Sequence, residues 1–562
     1  MGTGKNEKKS DLLMAILINA AILLIYLVLF SPAYEVNDDS ALANLVNGSM
    51  GVYDPHVIFQ NYILGFIYVH LYQITASIPW YALMQYFFIL ISLIVLTLCL
   101  MNHLQYKGYL GLIVSILLVF GYDLYVRPQF SKTAAVLVVA GFTLLFYTFF
   151  QDKLRKRNLF LGCLLVLLGA MYRMSVFKCI LIIFSAAAFY YILTLTDYDS
   201  QKPGKRLIIS LLTGAFLLLA VFGVDKFDQL QYRSESWSYY RDFNSQRVKL
   251  SDYGFPQYKG HEKEYEEMGF DLSAIKLLRR WTFQDSERYT AQSLHKIVEL
   301  KNSLSSEKKI DKAYVLKFVH KFLKGLKKLS VFWCFAIAAV FCLIWGKASF
   351  KKWIALFYEM LVVLIIYAYT YYQGRFMKRR IDVGIWLAAV FVLLLIYSCE
   401  RRRMAKTVTV LLAGVLLVLT LYQHGGQMRI NGQNRAKSQE ANRKIIEQIH
   451  DDQDHLYLKT IGTVSFYHAY GVFDPIPVGI ANNQYSLGGW AAQTETARSV
   501  LDSYPVSNPI CFRDMIDNDR VLLIDKNIDI MVEYLRNWYA KDAKAVKVDK
   551  IGKWNVYRIV TE

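Results

Sequence analysis

The chain has 562 residues, 55% of them hydrophobic and 15% aromatic, a composition that excludes an ordinary soluble domain and predicts a polytopic membrane protein. The net charge of +19 does not point to nucleic acid, because lysines and arginines sit mainly beside apolar runs, where they set topology or meet membrane lipids. Of seven cysteines, six fall inside apolar runs and only Cys511 lies in a polar region, so no disulfide framework and no metal cluster is expected.

The first apolar stretch, 12–30, ends in Ser31-Pro32 without a small-x-small cleavage pattern and is read as a retained helix. Directly after it comes Glu35-Val36-Asn37-Asp38-Asp39. Clustered acids at the mouth of a bilayer can have raised pKa values and accept protons; equally, acids here can cap the next helix. That helix is expected over 39–47, stopped by Gly48, and Asp54-Pro55 is expected to start another over 57–77. The latter stretch carries Gln60, Asn61, His70 and Gln73, so it is read as lying in the interface rather than crossing. His56, beside Asp54, either joins a site with the acids or is a polar helix start.

Basic clusters mark one side of the membrane: Lys5, Lys8 and Lys9; Lys107; Lys153 and Arg155 to Arg157; Lys202, Lys205 and Arg206; Lys347, Lys351 and Lys352; Arg401 to Arg403 with Lys406. Pairs of apolar stretches separate them (109–123 and 131–150, 158–172 and 176–196, two flanking a long loop, 353–373 and 381–399), and a last stretch, 407–423, leads out. About eleven crossings are expected, with the N-terminus cytoplasmic and the C-terminus extracytoplasmic. A transmembrane region over 1–426 thus carries a first outer loop, 32–79, and a long outer loop, 225–328. An extracytoplasmic α/β domain occupies 427–562, with strands expected at 456–458, 521–524, 544–549 and 554–560 and a helix at 527–540.

On the outer side by this parity, Gly374-Arg375-Phe-Met-Lys378-Arg379-Arg380 is as basic as the inner loops. Guanidinium forks match phosphate oxygens, so Arg375, Arg379 and Arg380 are candidate phosphate ligands, the alternative being a headgroup anchor. Arg127 and Lys132 flank Pro128-Gln129-Phe130 in a second outer loop and Arg173 lies in a third; charges in such short connections are candidate ligands of the donor phosphate, the alternative being interfacial anchors. In the long loop Trp237, Tyr240, Asn244 and Arg247 recur on one helical face, which suits sugar stacking or simple packing. Further on, Ile310, Tyr314, Val315, Phe318, Val319, Phe322 and Leu326 form an apolar stripe opposite lysines, expected to lie flat on anionic headgroups. Asn482-Asn-Gln-Tyr485 and Gly488-Gly489-Trp490 form either a saccharide platform or a turn with a buried anchor.

The acidic loop after the first span, followed by juxtamembrane helices, resembles the GT-C superfamily of membrane glycosyltransferases. The stretch Trp237-Ser-Tyr-Tyr240-Arg-Asp-Phe-Asn244-Ser-Gln-Arg247 with Asp252-Tyr253-Gly-Phe-Pro256-Gln-Tyr258 is similar to large bacterial envelope membrane proteins sharing an Asn-Asp-Asp loop. The resemblance implies an inverting transfer of sugar from a polyprenyl-phosphate donor to an envelope glycan or glycolipid. Asp38 or Asp39 would act as base, with Glu35 as a metal ligand, a pKa-raising partner or a surface acid. The basic loop would hold the donor phosphate, Arg375 and Arg379 matching the spacing of two family arginines, and Trp237, Tyr240, Asn244, Arg247 and His56 would serve the acceptor. No essential cofactor is expected, although a divalent cation (Mg or Mn) could assist. A flippase for lipid-linked saccharides and a polysaccharide polymerase or ligase are the alternatives.

Overall fold

The computed structural model describes residues 3–104, 110–151, 153–197, 203–304, 310–345, 349–397 and 429–562, with 414 and 418. The expected span 407–423, except 414 and 418, and the basic residues Lys107, Lys202, Lys347, Arg401 to Arg403 and Lys406 lie outside the described residues. The membrane-side helices run α1 (Thr3–Leu29), α2 (Asp38–Val46), α3 (Tyr62–Ile74), α4 (Trp80–Leu104), α5 (Leu110–Gly121, continued by a π turn, Tyr122–Val126), α6 (Phe130–Phe149), α7 (Lys156–Tyr172), α8 (Met174–Thr194) and α9 (Pro203–Gln231). Four helices follow in the long loop: α10 (Glu235–Ser251), α11 (Glu262–Glu267), α12 (Leu272–Arg279) and α13 (Ala291–Leu304). Then come α14 (Lys312–Leu326), α15 (Ser330–Trp345), α16 (Phe350–Tyr372) and α17 (Arg379–Ile396).

Among the described residues six helices, α1, α4, α6, α8, α9 and α16, are long and apolar enough to cross a membrane. A seventh span results if α14 and α15, bent by 85°, are one. The count of about eleven is therefore not reproduced. α7 opens on Lys156 and Arg157, α17 on Arg379, Arg380 and Asp382, and α5 is short. α3 starts at Asn61, whose side chain accepts from the Ile63 amide, later than the expected start at Asp54-Pro55. Its 13 residues reach about 20 Å, short of the roughly 30 Å of hydrocarbon.

At the centre of the bundle α6 and α17 are buried along almost their whole length, as helices apolar on every face must be. Around the rim, α9 exposes Leu211, Leu212, Phe216, Leu219 and Phe222, a surface that a bilayer would cover. Small residues bring α6 and α7 close: a Cβ on Gly141 would stand 2.6 Å from the Gly162 carbonyl oxygen, and one on Gly169 2.9 Å from that of Ala134.

Beyond the bundle lies a five-stranded sheet, counted among the described residues, of β1 (Leu456–Lys459), β2 (Gln484–Ser486), β3 (Val521–Ile524), β4 (Lys544–Ile551) and β5 (Trp554–Val560) in the order β2-β1-β3-β5-β4. The β1 pairings with β2 and β3 are parallel, and β5 joins β3 and β4 antiparallel. Strand periodicity sends Leu456, Leu458, Val521 and Leu523 to one face and Tyr457, Leu522 and Ile524 to the other. The second face is covered by Ile445, Ile446 and Ile449 of the helix Arg429–Asp451. On the first face the core includes Phe243 and Leu250 of α10, Phe270 of the α11–α12 turn, Ile275 of α12 and Ile297 of α13. Two chain segments read separately in the sequence thus share one core.

Candidate active site

The acidic segment sits where α1 ends, and its three carboxylates go to three different places. Asp38 and Asp39 open α2 at consecutive positions, about 100° apart around the helix axis. Asp39 turns inward and is fully buried. Its Oδ1 accepts from Tyr81 Oη at 3.0 Å, Gln85 Nε2 at 3.1 Å and the Phe130 amide, the first of α6, at 3.0 Å. Burial pushes its carboxyl up to about 7 against the opposing effect of these donors. Asp39 is therefore a joint between α2, α4 and α6.

Glu35 pairs with Lys132 at 2.6 Å. Lys132, with its side chain wholly buried, also bonds the carbonyls of Asp123 and Arg127, at 3.0 and 2.9 Å, and lies 3.4 Å from the Asp123 carboxylate. Arg379 grips Asp123 through Nε and Nη2 at 2.8 and 2.7 Å. Lys132 and Arg379, expected as phosphate ligands, are instead engaged in a chain of ion pairs that ties the end of α1 to α5, α6 and α17.

Asp38 remains partly open, with 21% of its side chain exposed. Its Oδ2 accepts from Arg380 Nη1 at 3.2 Å, and its Oδ1 from Trp490 Nε1 at 3.1 Å. Trp490 comes from the sheet domain, 452 residues away along the chain. Its approach depends on the two preceding glycines: a Cβ on Gly488 would fall 1.5 Å from the Trp281 carbonyl oxygen, and Gly489 has φ +90°. The indole packs on Phe59 with centroids 4.7 Å apart, and Phe59 stacks on Phe130. Over both phenyl rings lies the Arg173 guanidinium, 4.9 and 5.2 Å from their centroids.

Burial pulls Arg173 down to about 10; nearby Arg380 and Arg375 add to the shift and Asp38 opposes it. Arg173 of the α7–α8 connection, Arg375 of the α16–α17 connection and Arg380 at the start of α17 are thus near one another, with Asp38 beside Arg173 and Arg380. Arg375 pairs with Asp252 at 2.8 Å and lies over Tyr253, which holds the basic loop against the end of α10. Arg127 points elsewhere, into a separate cleft with Arg435 and Glu35.

The expected acceptor face is mostly covered. Trp237, Tyr240 and Arg247 are buried, and His56 stacks on Trp237 with centroids 4.4 Å apart. The His56 ring also meets Asp54 Oδ1 at 2.6 Å and the Gln231 carbonyl at 3.0 Å. Burial would raise Asp54, but bonds from His56 and Thr496 outweigh it and hold the carboxyl below its usual range. Asn244 Oδ1 accepts twice from Arg247. His56, Trp237 and Tyr240 brace α10 against the segment 32–79, while Asn244 and Arg247 pair within α10, with Arg247 over Trp281.

Sequence reasoning did not connect Trp490 with Asp38, and it missed Phe59 and Phe130. The glycine pair was the available signal for the first; nothing local marks the phenyl rings. Among the described residues no group of three or more His, Cys, Asp or Glu is placed to hold a metal ion. Because Glu35, Asp38 and Asp39 face separate partners, they do not form a divalent-cation ligand set. No protein-family model matches the chain, and neither does any curated protein or solved structure.

Proposed function

We propose that the chain is an inverting membrane glycosyltransferase with GT-C-like architecture, working on the extracytoplasmic face of the cell membrane with its N-terminus cytoplasmic. The donor is a sugar on polyprenyl phosphate and the acceptor a hydroxyl of an envelope glycan or glycolipid. One observation carries this reading: a partly open carboxylate, Asp38, held by an arginine and an indole and faced by further guanidiniums on aromatic rings.

In the proposed step the acceptor hydroxyl gives its proton to Asp38 as its oxygen bonds to the anomeric carbon. The bond from that carbon to the phosphate oxygen breaks, and its electron pair leaves on the phosphate. Arg380, Arg173 and Arg375 stabilise that charge. Relief of crowding among these cations favours an anion at the same place.

The test is sugar transfer in reconstituted membranes from a panel of polyprenyl-phosphate sugars. Asp38→Asn should lose at least about a thousandfold in kcat, and Arg173→Gln about tenfold or more. Asp39→Asn should retain transfer. Wild-type rates in Asp38→Asn would refute the assignment.

Transport of lipid-linked saccharides is the second reading, and one residue favours it. Glu359 is fully buried within α16, and neither of its carboxylate oxygens has a hydrogen-bond partner among the described residues. Movement of a fluorescent lipid-linked saccharide across vesicles, lost in Glu359→Gln and kept in Asp38→Asn, would establish that alternative.

A further inference from the structure

A second cleft, of about 320 Å³, opens between the end of the bundle and the sheet domain. One wall is the chain leaving α1, where the Ala33 amide bonds the Val126 carbonyl and the Glu35 amide that of Pro128. The other is formed by Arg435, Ser438 and Gln439 of the helix Arg429–Asp451 together with the segment 467–472. Asp38, Arg380, Trp490 and Arg173 do not line it.

Its charge is unbalanced. Glu35 is neutralised by Lys132 at 2.6 Å, and nearby Asp474 by Arg443 at 2.7 Å. The Arg127 side chain makes no hydrogen bond or ion pair with a described residue, and Arg435 makes a single long contact, 3.4 Å, to the Ser31 carbonyl. Both guanidiniums act on the Tyr467 hydroxyl, opposing the rise that burial imposes on it, which places them around the same space. Two cations from elements about 300 residues apart, without a counter-ion, form an anion site. A carboxylate can be satisfied by one fork; a phosphate has enough oxygens for two.

Tyr34, Tyr467 and Tyr470 line the same cleft. Aromatic lining next to an anion site suits a glycerol or sugar unit attached to the phosphate.

We propose that Arg127 and Arg435 bind the phosphate of a glycerophosphate or phosphosaccharide group at a site separate from Asp38. That this group belongs to the acceptor rests on the transferase reading; its binding does not.

The experiment uses the full chain in phosphatidylcholine nanodiscs, titrated with inorganic phosphate and with glycerol 3-phosphate and read by thermal shift. Wild type should respond to both. All variants are made in an Arg380→Gln background, which takes the donor-phosphate arginine out of the readout. There Arg127→Gln, which removes a side chain with no hydrogen bond or ion pair to a described residue, should raise the half-saturating concentration about tenfold, and adding Arg435→Gln should remove the response. Asp38→Asn should respond like its parent. An unchanged response in folded Arg127→Gln would overturn the proposal, as would loss of response in Asp38→Asn.

Phosphatidylglycerol nanodiscs then distinguish the source of the group. If lipid headgroups fill the site, wild type no longer responds to added phosphate and retains more phosphatidylglycerol than Arg127→Gln in native mass spectra. If the phosphate comes on a soluble glycan, the response persists. Either result stands whether or not sugar transfer is detected.

Discussion

At the scale of single residues, two adjacent aspartates have different surroundings and should respond differently to substitution. Asp39 is raised from its ordinary 3.8 to about 7, mainly by burial. Between those values the folded chain binds a proton that the unfolded chain releases, so this contribution to stability is full at acid pH and is lost as pH rises through about 7. Thermal unfolding of Asp39→Asn across pH 4 to 8 should therefore be flatter than wild type. Trp490→Phe keeps the ring on Phe59 but removes the donor to Asp38; kcat should fall about tenfold with the fold intact. The sequence made the acidic motif and the basic loop conspicuous, because charges beside apolar runs stand out. It could not separate Asp38 from Asp39, since that depends on which side of one helical turn meets Tyr81, Gln85 and Phe130. Nor could it show that Lys132 and Arg379 are already paired, because their common partner Asp123, in the π turn after α5, is 256 residues from Arg379 along the chain.

Between elements, the ion pairs and the glycine contact both fix helices against one another. Lys132→Met would leave Glu35 and Asp123 buried with one cation fewer, at a cost of about 3–5 kcal/mol, measurable as a lower unfolding temperature in detergent. Gly141→Val forces a side chain onto the Gly162 carbonyl and should destabilise the α6–α7 pair by about 1–3 kcal/mol or more. Apolar runs located most of these helices well. Their roles were less legible: α6 and α17 form the centre while α9 forms the rim, a distinction set by partners rather than by hydropathy. The long-loop helix over Trp237 to Arg247 was visible in its spacing, yet its rings face inward because His56 and Ile58 cover them.

For the whole molecule, the shared core joins α10–α13 to the sheet. A chain ending before Arg429 would lose both Trp490 and the strands on which Phe243, Phe270 and Ile297 pack. Its long loop should become open to limited proteolysis, whereas full-length protein stays resistant. Alternating apolar positions indicated most of the sheet, but β2, three residues long, gave too little pattern to be seen. The docking of residues 235–304 onto the sheet left no local trace at all. The 85° bend between α14 and α15 has a mechanical consequence for this assembly. α14 packs Phe318 and Phe322 against Tyr367 and Tyr371 and leaves Val315, Leu316, Val319 and Leu323 outward among its lysines. In the proposed transferase a helix lying at the interface and braced to α16 would act as an outrigger, fixing how deep the bundle rides and hence the height at which Asp38 would meet a lipid-borne phosphate.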